Sequence, residues 1–497
     1  MKLPRLCLLA VFAAPVCIAG AQDAVYDPAP TETSISETES SETESAETEK
    51  AFESSGFGFD ENDGAFGFDA GNGPALGGGP SFHVNGEARL RFLLYLEEAP
   101  AEQDPGNLLS GRINFSVRAG RGEAVVNLKL DTIDTRQPLS IDEAFLRLGF
   151  SAVDTEIGLR KLTWGKADSA GPLDVVNPLD YSDLTDITDQ LGRKIARPMV
   201  RVVYHLGDFT ALEGVFIPVF RGHKLDLEGR WMPVELAGLN TIMMLPLIKP
   251  HLNFSGVFSS YEDFVENYNK GIRRLDYAQG GLRFTTTLGS SDIGFQYFTG
   301  NFFRPALSVQ LLDLRIHSAF NRYHQFGADY ARVIAGFNAR AELALNLTED
   351  MAGDDPKIEN PSLLWSLGFD RDLVWGINLN LQGSGSVTLR HDKIKEDSLL
   401  DVALSGGAMD CQSGKKMTST RLTGVLSKKL LRDELEIKTT GMWGIEDRDF
   451  HVIPALVWTR EALSLELSAG FFGGSREGEL GFYRDNRYVK TRLTWKF

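Results

Sequence analysis

Apolar and polar residues alternate with a period of two along most of the chain that follows residue 80. Residues 87–94, 126–131, 340–347, 377–382 and 463–471 each place apolar side chains at every second position, with mostly polar or charged side chains between them. Successive side chains of a β-strand point to opposite faces, so each segment predicts a strand with one apolar and one polar face. A soluble β-sandwich shows the same alternation. The pattern therefore indicates an all-β chain and leaves its surroundings open.

The last ten residues indicate what those surroundings are. Residues 488–497 read YVKTRLTWKF, with Val489, Leu493, Trp495 and Phe497 on one face and basic side chains on the other. A final amphipathic strand that ends in Phe resembles the outer-membrane assembly signal of bacterial barrel proteins. We therefore predict an assembly signal at Tyr488, Trp495 and Phe497. Its expected partners are the barrel-assembly machinery and outer-membrane lipid.

The number of strands and the lengths of their connections give an independent indication. We place eighteen strands between residues 82 and 497, within a range of about fourteen to twenty because strand boundaries are hard to read. Short turns near Gly207, Gly289 and Gly336 alternate with long connections such as 164–197 and 220–275. An even count with alternating short turns and long loops is typical of a transmembrane antiparallel β-barrel of the bacterial outer membrane. Hydrocarbon offers an open sheet edge no hydrogen-bond partner, so such a barrel has to close.

The first 80 residues precede this pattern. Residues 1–21 combine basic residues with an apolar run and end in Ala-Gly-Ala, which predicts a cleaved signal peptide. Residues 22–80 are rich in Ser, Thr and Glu and then in Gly, which predicts a disordered leader. The leader carries Phe-Gly-Phe-Asp at 57–60 and 66–69, and it is either a flexible tether or a docking segment. The predicted barrel occupies residues 81–497.

Charge and motif content exclude several functional classes. The formal net charge of −17 argues against nucleic acid as a partner. The sequence lacks the G-x-S-x-G, H-E-x-x-H and P-loop motifs of common enzyme families. Of the three cysteines only Cys411 follows the predicted signal peptide, which excludes a disulfide framework. We therefore expect no enzymatic activity and no cofactor.

One segment differs from the barrel-like remainder. It contains a Trp-Gly pair, an Asn-Pro-Leu-Asp turn, a Leu-Glu-Gly stretch and a Gly-Arg-Trp triplet. The positions are Trp164, Gly165, Asp174, Asn177, Pro178, Asp180, Leu212, Glu213, Gly214, Pro218, Gly229, Arg230 and Trp231. This arrangement resembles a family of uncharacterised, porin-like bacterial outer-membrane proteins that is catalogued only as a domain of unknown function. The resemblance implies a barrel with a porin-like role, and it supplies no assigned pore residues.

The connection 164–197 is the candidate for narrowing the lumen, because a barrel of this size is too wide for wall side chains to fill. Folded inward, its acidic residues would face its own basic residues or a basic wall, and opposed charges would favour polar or zwitterionic solutes. The alternative is a surface turn at Asn177, with Trp164 as an aromatic anchor at the membrane interface. The candidate constriction residues are Trp164, Lys166, Asp168, Asp174, Asn177, Asp180, Asp183, Arg193, Lys194 and Arg197, and the candidate lumen-wall residues are Arg89, Arg91, Arg160 and Glu213.

The same connection carries a run of aspartates between Asp174 and Asp189. Oxygen ligands of this kind suit Ca²⁺, although the run lacks the glycine and the bidentate glutamate of an EF-hand loop. We favour a solvated loop face and keep a Ca²⁺ site as the alternative.

Three functions are consistent with these features. The first is a porin-like outer-membrane channel for passive diffusion of small polar solutes or nutrients, with homo-oligomerisation left open. The second is a lateral-gated transporter of hydrophobic substrates with an N-terminal plug. The third is a surface adhesin on a barrel scaffold, which would bind through exposed outer loops such as 220–275.

Overall fold

The computed structural model of the chain describes most of the residues from 79 to the C-terminus. The described ranges are 79–97, 108–132, 138–169, 171–234, 236–237, 251–310, 313–395 and 408–497. They all belong to one compact unit, Phe57–Phe497. The predicted signal peptide and almost the whole predicted leader lie outside the described residues.

Eighteen antiparallel strands form a single sheet in which each strand pairs with its neighbours in sequence. They are β1 Ser81–Tyr95, β2 Leu108–Ala119, β3 Gly122–Asp131, β4 Leu139–Gly149, β5 Val153–Arg160, β6 Arg197–Gly207, β7 Thr210–Ile217, β8 Gln279–Leu288, β9 Ser291–Asn301, β10 Arg322–Ile334, β11 Phe337–Thr348, β12 Ser362–Leu373, β13 Ile377–Thr388, β14 Thr418–Leu430, β15 Leu435–Gly444, β16 Asp449–Arg460, β17 Leu463–Gly474 and β18 Tyr488–Lys496. The sheet closes because β1 also pairs with β18, from Glu87 opposite Lys496 to Tyr95 opposite Tyr488. The predicted barrel and its count of eighteen strands are confirmed.

The period-two pattern separates the two faces of the wall. On β11 and β12 the side chains of Leu343 and Leu367 are exposed, while those of Glu342 and Ser366 are buried inside the barrel. The exposed apolar side chains recur on nearly every strand and form an outward-facing apolar surface. An apolar outer surface around a polar interior is the architecture of a bacterial outer-membrane barrel. The backbone hydrogen bonds of this closed sheet are satisfied within the wall, as hydrocarbon requires.

The two ends of the barrel differ in the length of their connections. One end carries tight turns such as Ala335-Gly336, where both residues have positive φ angles of 52° and 78°. Two consecutive residues of this kind match the twist of antiparallel strands, and glycine adopts the conformation without a Cβ penalty. The other end carries the long connections, of which residues 161–196 and 218–278 are the largest between barrel strands. Long loops lie on the outer side of such barrels.

The long connections form a folded layer over the outer end. Short strands Asn253–Gly256, Ala306–Gln310, Arg315–Ala319 and Ala408–Met409 make a small sheet, and Asp180–Tyr181 pairs with Lys224–Leu225. Within the described part of this layer the α-helices are Gln190–Arg193, Tyr261–Asn267 and Glu479–Phe482, and the 3-10 helices are Leu184–Asp186, Leu275–Tyr277 and His391–Lys393; a further 3-10 helix, Val374–Gly376, forms the tight turn between β12 and β13 at the other end. Among the described residues, none of these helices has the length and apolarity that crossing a bilayer demands.

An aromatic core holds this outer layer together. Phe220, Phe258, Phe264, Tyr268 and Phe320 are buried against one another. Residues 220–275 were expected to form an exposed loop, and for most of their aromatic residues this was wrong, since Tyr268, for example, is only 2% exposed. Its apolar side chains are spaced irregularly, so the strand pattern gave no sign that they share a core.

Candidate functional site, the inward loop

Residues 161–196, here called the inward loop, leave β5, fold into the barrel and return at β6. Asn177 ties the two ends of the loop together. Its Oδ1 accepts a hydrogen bond from the Leu162 N–H at 2.7 Å, and its Nδ2 donates to the carbonyls of Arg160 and Ile195 at 3.0 and 2.9 Å. This contact divides the loop into lobe 1 (residues 163–176, with residue 170 outside the described part) and lobe 2 (residues 178–194). Asn177 is therefore a buried tie at the neck of the loop.

Lobe 1 is anchored by a carboxylate of the barrel wall. Glu342 on β11 accepts hydrogen bonds from the backbone N–H groups of Lys166, Ala167 and Leu173, with the Ala167 nitrogen at 2.7 Å. Gly165 lies against the same carboxylate with φ of 95°, and a Cβ there would collide with Glu342. The glycine of the Trp-Gly pair is thus required by close approach and by backbone conformation together.

Asp168 extends the contact of lobe 1 along the wall. Its carboxylate forms an ion pair with Arg340 on β11 and accepts a hydrogen bond from Asn380 on β13 at 2.9 Å. Burial raises the pKa of Asp168, although the Arg340 guanidinium acts in the opposite direction. Lys166 reaches Asp292 on β9 at 3.4 Å. Lobe 1 therefore contacts a broad arc of wall from β9 to β13.

Trp164 lies inside the barrel. It is 2% exposed, its Nε1 donates to Glu213 at 3.0 Å, and its ring packs edge-on against Phe298. Leu162 and Val176 belong to the same apolar cluster. The alternative that Trp164 anchors the barrel at the membrane interface is therefore wrong, because the whole side chain is enclosed between lobe 1 and the wall.

Lobe 2 crosses to the strands that close the barrel. Asp183 pairs with Arg91 on β1 at 2.7 Å, and Asp186 pairs with Lys490 on β18 at 2.7 Å and with Arg492. Arg91 and Arg492 are direct partners across the β1–β18 seam. Like charges at such positions are destabilising, and the two aspartates supply the opposite charge. Burial alone would raise the pKa of Asp186, but Lys490 and Arg492 more than offset it and hold the pKa well below its usual range.

Two more residues complete the contact of lobe 2 with the seam. Arg89, a predicted lumen-wall residue, lies 3.8 Å from Asp189. Tyr488 is fully buried on the lumenal face of β18, and its hydroxyl donates to the Thr185 carbonyl at 3.0 Å. Trp495 and Phe497 lie on the opposite, exposed face of the strand. Tyr488 therefore faces the lumen, whereas Trp495 and Phe497, the other two residues of the predicted assembly signal, are exposed on the outer face. The assembly signal itself stays a prediction.

The three predicted basic residues hold the loop from within. Lys194 Nζ donates to the Leu162 carbonyl at 2.8 Å and pairs with Asp174 at 2.8 Å. Arg193 donates to the carbonyls of Asp180 and Ile187.

Arg197 completes this basic set at the start of β6. It donates to the carbonyls of Val176 and Val219 and to Gln279, and no carboxylate pairs with it in the described part of the chain. All three basic side chains are buried. The expectation that the acidic residues face this basic set was therefore wrong apart from the Lys194–Asp174 pair, because these cations mainly bind nearby carbonyl oxygens, whereas Asp183 does face the basic wall at Arg91.

The aspartates of the loop do not converge on a common point. Asp180 pairs with Lys224 at 2.9 Å, while Asp174, Asp183, Asp186 and Asp189 pair with the other cations already described. Across the described ranges no three acidic, histidine or cysteine side chains are grouped so that they could hold a metal ion. The aspartates thus serve as separate anchors, and this geometry gives the Ca²⁺ alternative no support.

Strands β2 to β7 carry a ladder of ion pairs on their lumenal face. Arg160 lies 3.0 Å from Glu143 and 3.3 Å from Glu156, and Arg201 lies 3.3 Å from Glu156 and 2.8 Å from Glu213. Two predicted wall residues, Arg160 and Glu213, are thus members of one connected network. Neighbouring cations and carboxylates neutralise each other and fix the position of each side chain.

Sequence reasoning missed the wall residues that receive lobe 1. The alternation had placed Glu342 and Arg340 on the polar face of their strand, which the structure confirms. Their contact with the inward loop depends on the width and curvature of the barrel. No local signal in the sequence reports that distance.

The similarity of this chain to known proteins is confined to solved structures. No protein-family model matches the chain, and no curated protein sequence is similar to it. Among solved structures, the chain is similar to OccAB4 of Acinetobacter baumannii, with 8% identity, a TM-score of 0.46, and 84% of this chain and 97% of that chain covered. OccK3 (OpdO) of Pseudomonas aeruginosa gives 9% identity, a TM-score of 0.45 and coverages of 84% and 95%. OmpF of Salmonella typhi gives 8% identity, a TM-score of 0.40, and coverage of 84% of this chain and 97% of that chain.

Proposed function

We propose that this protein is a porin-like channel for passive diffusion of small polar solutes across the bacterial outer membrane. The observation that carries the proposal is the inward loop, which is anchored to both β11 and the β1–β18 seam inside a closed barrel. A solute that crosses such a barrel has to pass beside this loop. The proposed function needs no reaction and no cofactor.

The loop supplies the narrowing that a channel of this size needs. A barrel of about eighteen strands leaves an interior too wide for wall side chains to fill. The inward loop places lobe 1 and lobe 2 in that space, with charged and amide groups at their contacts with the wall. Polar and charged linings favour solutes that can replace their water with such groups and reject apolar solutes.

The two alternative functions receive less support. A transporter of hydrophobic substrates needs an apolar pocket, and the apolar cluster around Trp164 and Phe298 is a closed core with both side chains buried. Its predicted plug, the leader, lies outside the described residues. An adhesin would act through the outer layer built on residues 218–278 and would conduct little or no current.

Single-channel recording in planar bilayers tests the proposal. We expect stable ohmic steps from the full chain and from a variant that lacks residues 22–80, with reversal potentials in a salt gradient that report ion selectivity. Silence of both forms, with the barrel shown to be folded by its heat-modifiable electrophoretic migration, would overturn the proposal. Steps that appear only after the deletion would make the leader a plug.

Partners are part of the proposal. Small polar solutes are the expected cargo, and homo-oligomers and the barrel-assembly machinery stay predictions. Native mass spectrometry of the detergent-extracted protein measures the oligomeric state directly.

A further inference from the structure

The inward loop leaves one part of the lumenal wall uncovered. Lobe 1 contacts β9 to β13, lobe 2 contacts β18 and the outer half of β1, and the apolar cluster of Trp164 lies against β6 and β7. Along β1 and β2 the lumen-facing side chains of Asn85 and Asn114 are exposed, and the Arg118 side chain is 66% exposed. Arg112 and Lys129, on the same face of β2 and β3, are partly exposed. These five residues define what we call the β1–β3 groove.

The wall on the other side of β18 from this groove, strands β14 to β17, is covered at mid-height. On strands β14 to β17 four lumen-facing residues at mid-height, Thr423, Ser427, Thr440 and Ser468, are buried, with at most 8% of each residue exposed. Their side chains carry no formal charge. A solute can contact only side chains that water already reaches, so these four positions offer it no surface.

We propose that solutes cross the barrel off its axis, along the β1–β3 groove. The inference rests on the proposed function and adds the route and the residues that determine selectivity. The exposed residues of the groove follow the lumenal face of two adjacent strands from Arg112 through Asn114 to Arg118 on β2, with Asn85 opposite Asn114 on β1. A continuous solvated strip of this kind is a path, whereas isolated exposed residues are not.

The chemistry of the groove identifies the class of solute. Arg112 lies 3.9 Å from Asp142, Lys129 lies 3.4 Å from Asp131, and Arg118 lies 3.2 Å from Glu123. Each exposed cation therefore has a carboxylate beside it, and the Asn85–Asn114 amide pair lies among them at 2.8 Å. A solute that carries both an ammonium and a carboxylate group, or several neutral polar groups, finds a partner for each of them. A simple cation or anion gains little, so we expect weak ion selectivity.

Thiol modification during bilayer recording tests the route. Cys411 is replaced by serine, and either Asn114→Cys in the groove or Thr440→Cys on the covered wall is added. A negatively charged methanethiosulfonate reagent is then applied to open channels, with the C411S parent as the baseline. We expect a stepwise loss of conductance for N114C and none for T440C. Asn85→Cys is a second groove position should N114C fail to fold.

The outcomes separate the route from the function. Block of T440C without block of the groove variants would overturn the route and keep the channel. A folded parent that is silent before any reagent is added would overturn the proposed function and the route with it.

A charge reversal gives a second readout. Arg118→Glu in the groove should shift the reversal potential toward cation selectivity, whereas Arg460→Glu, at the exposed end of β16 and outside the groove, should leave it nearly unchanged. Equal shifts from both variants would contradict a route along β1–β3.

Discussion

Lobe 1 and lobe 2 belong to one loop, and both pair aspartates with cations of the wall, as Asp168 of lobe 1 does with Arg340, but lobe 1 is also held by its backbone. Lobe 1 offers backbone N–H groups to a carboxylate of the wall, Glu342. Lobe 2 offers carboxylates, Asp183 and Asp186, to cations of the wall. The comparison shows that a loop can dock inside a wide lumen through different kinds of contact, here backbone hydrogen bonds to a carboxylate and ion pairs. It needs the carboxylates and cations at the contact to find a partner, from whichever side that partner comes.

Removing the acceptor of lobe 1 should have the largest effect. Glu342→Ala leaves the N–H groups of Lys166, Ala167 and Leu173 without their acceptor, and buried unsatisfied donors cost about 1–3 kcal/mol each. We expect lobe 1 to undock, with faster hydrogen exchange at these amides and noisier current. Glu342→Gln keeps one carbonyl oxygen and should show a smaller effect. Unchanged exchange in the alanine variant would mean that lobe 1 is held by other contacts.

Removing one carboxylate of lobe 2 should have the second-largest effect, a loss of thermal stability of the barrel. Asp186→Asn deprives Lys490 and Arg492 of their closest anion and leaves Glu466 as a remaining partner at 3.4 and 3.5 Å. Loss of one partner of a fully buried pair costs about 3 kcal/mol, and both the 31% exposure of the Asp186 side chain and the remaining Glu466 should reduce this. We expect a lower temperature for the electrophoretic shift that reports barrel unfolding. Asp433→Asn, in an exposed turn, is the control and should leave that temperature unchanged.

Filling the space beside Glu342 should lower the stability by a smaller amount and disturb only the docking of lobe 1. Gly165→Ala adds a Cβ that collides with the carboxylate and has to keep φ of 95°, at a cost of about 2 kcal/mol. Gly289→Ala has a positive φ of 63° and open space around it, so it isolates the cost of conformation alone. Equal losses in the two variants, measured by thermal unfolding, would argue against a tight contact at Gly165.

Acid should have the smallest effect on the docking of the loop, and the effect should have opposite signs in the two lobes. The pKa of Asp186 is lowered in the docked state, so its contribution is full above the ordinary value of about 3.9 and is lost as the pH falls through the lower docked value. The pKa of Asp168 is raised, so docked lobe 1 binds a proton more tightly and its docking gains as the pH falls toward that ordinary value. We therefore expect no acid-induced rise in current noise between pH 7 and about pH 4. A noise transition near pH 5 to 6 in the parent chain would contradict both assignments.

The strands were predictable because lipid imposes two conditions on each of them. The side chains have to alternate, and the backbone has to pair, so segments such as Ser81–Tyr95 and Leu463–Gly474 show a clear period of two between turn residues. The inward position of the loop was one of two expectations, and the turn residue Asn177 alone could not decide between them.

Most pairings within the site could not be predicted. Arg193, Lys194 and Arg197 were expected to line the passage because exposed cations commonly do so, but their hydrogen-bond acceptors are largely backbone carbonyls, which every residue carries. The contact of Glu342 with lobe 1 joins positions that are distant in sequence, and the curvature of the closed wall sets it. Local patterns encode which face a side chain occupies and not what it meets across the barrel.

Lobe 2 bridges the first and the last strand, and this has a consequence for how the protein matures. Its aspartates find Arg91 and Lys490 together only when β1 and β18 have met in the correct alignment. Slipping the seam by two residues would preserve the apolar face but move one cation by about 7 Å relative to the other, beyond the reach of the same short side chains. The ion pairs of lobe 2 are thus complete only in a correctly aligned barrel, although Asp186 precedes its partner Lys490 by 304 residues.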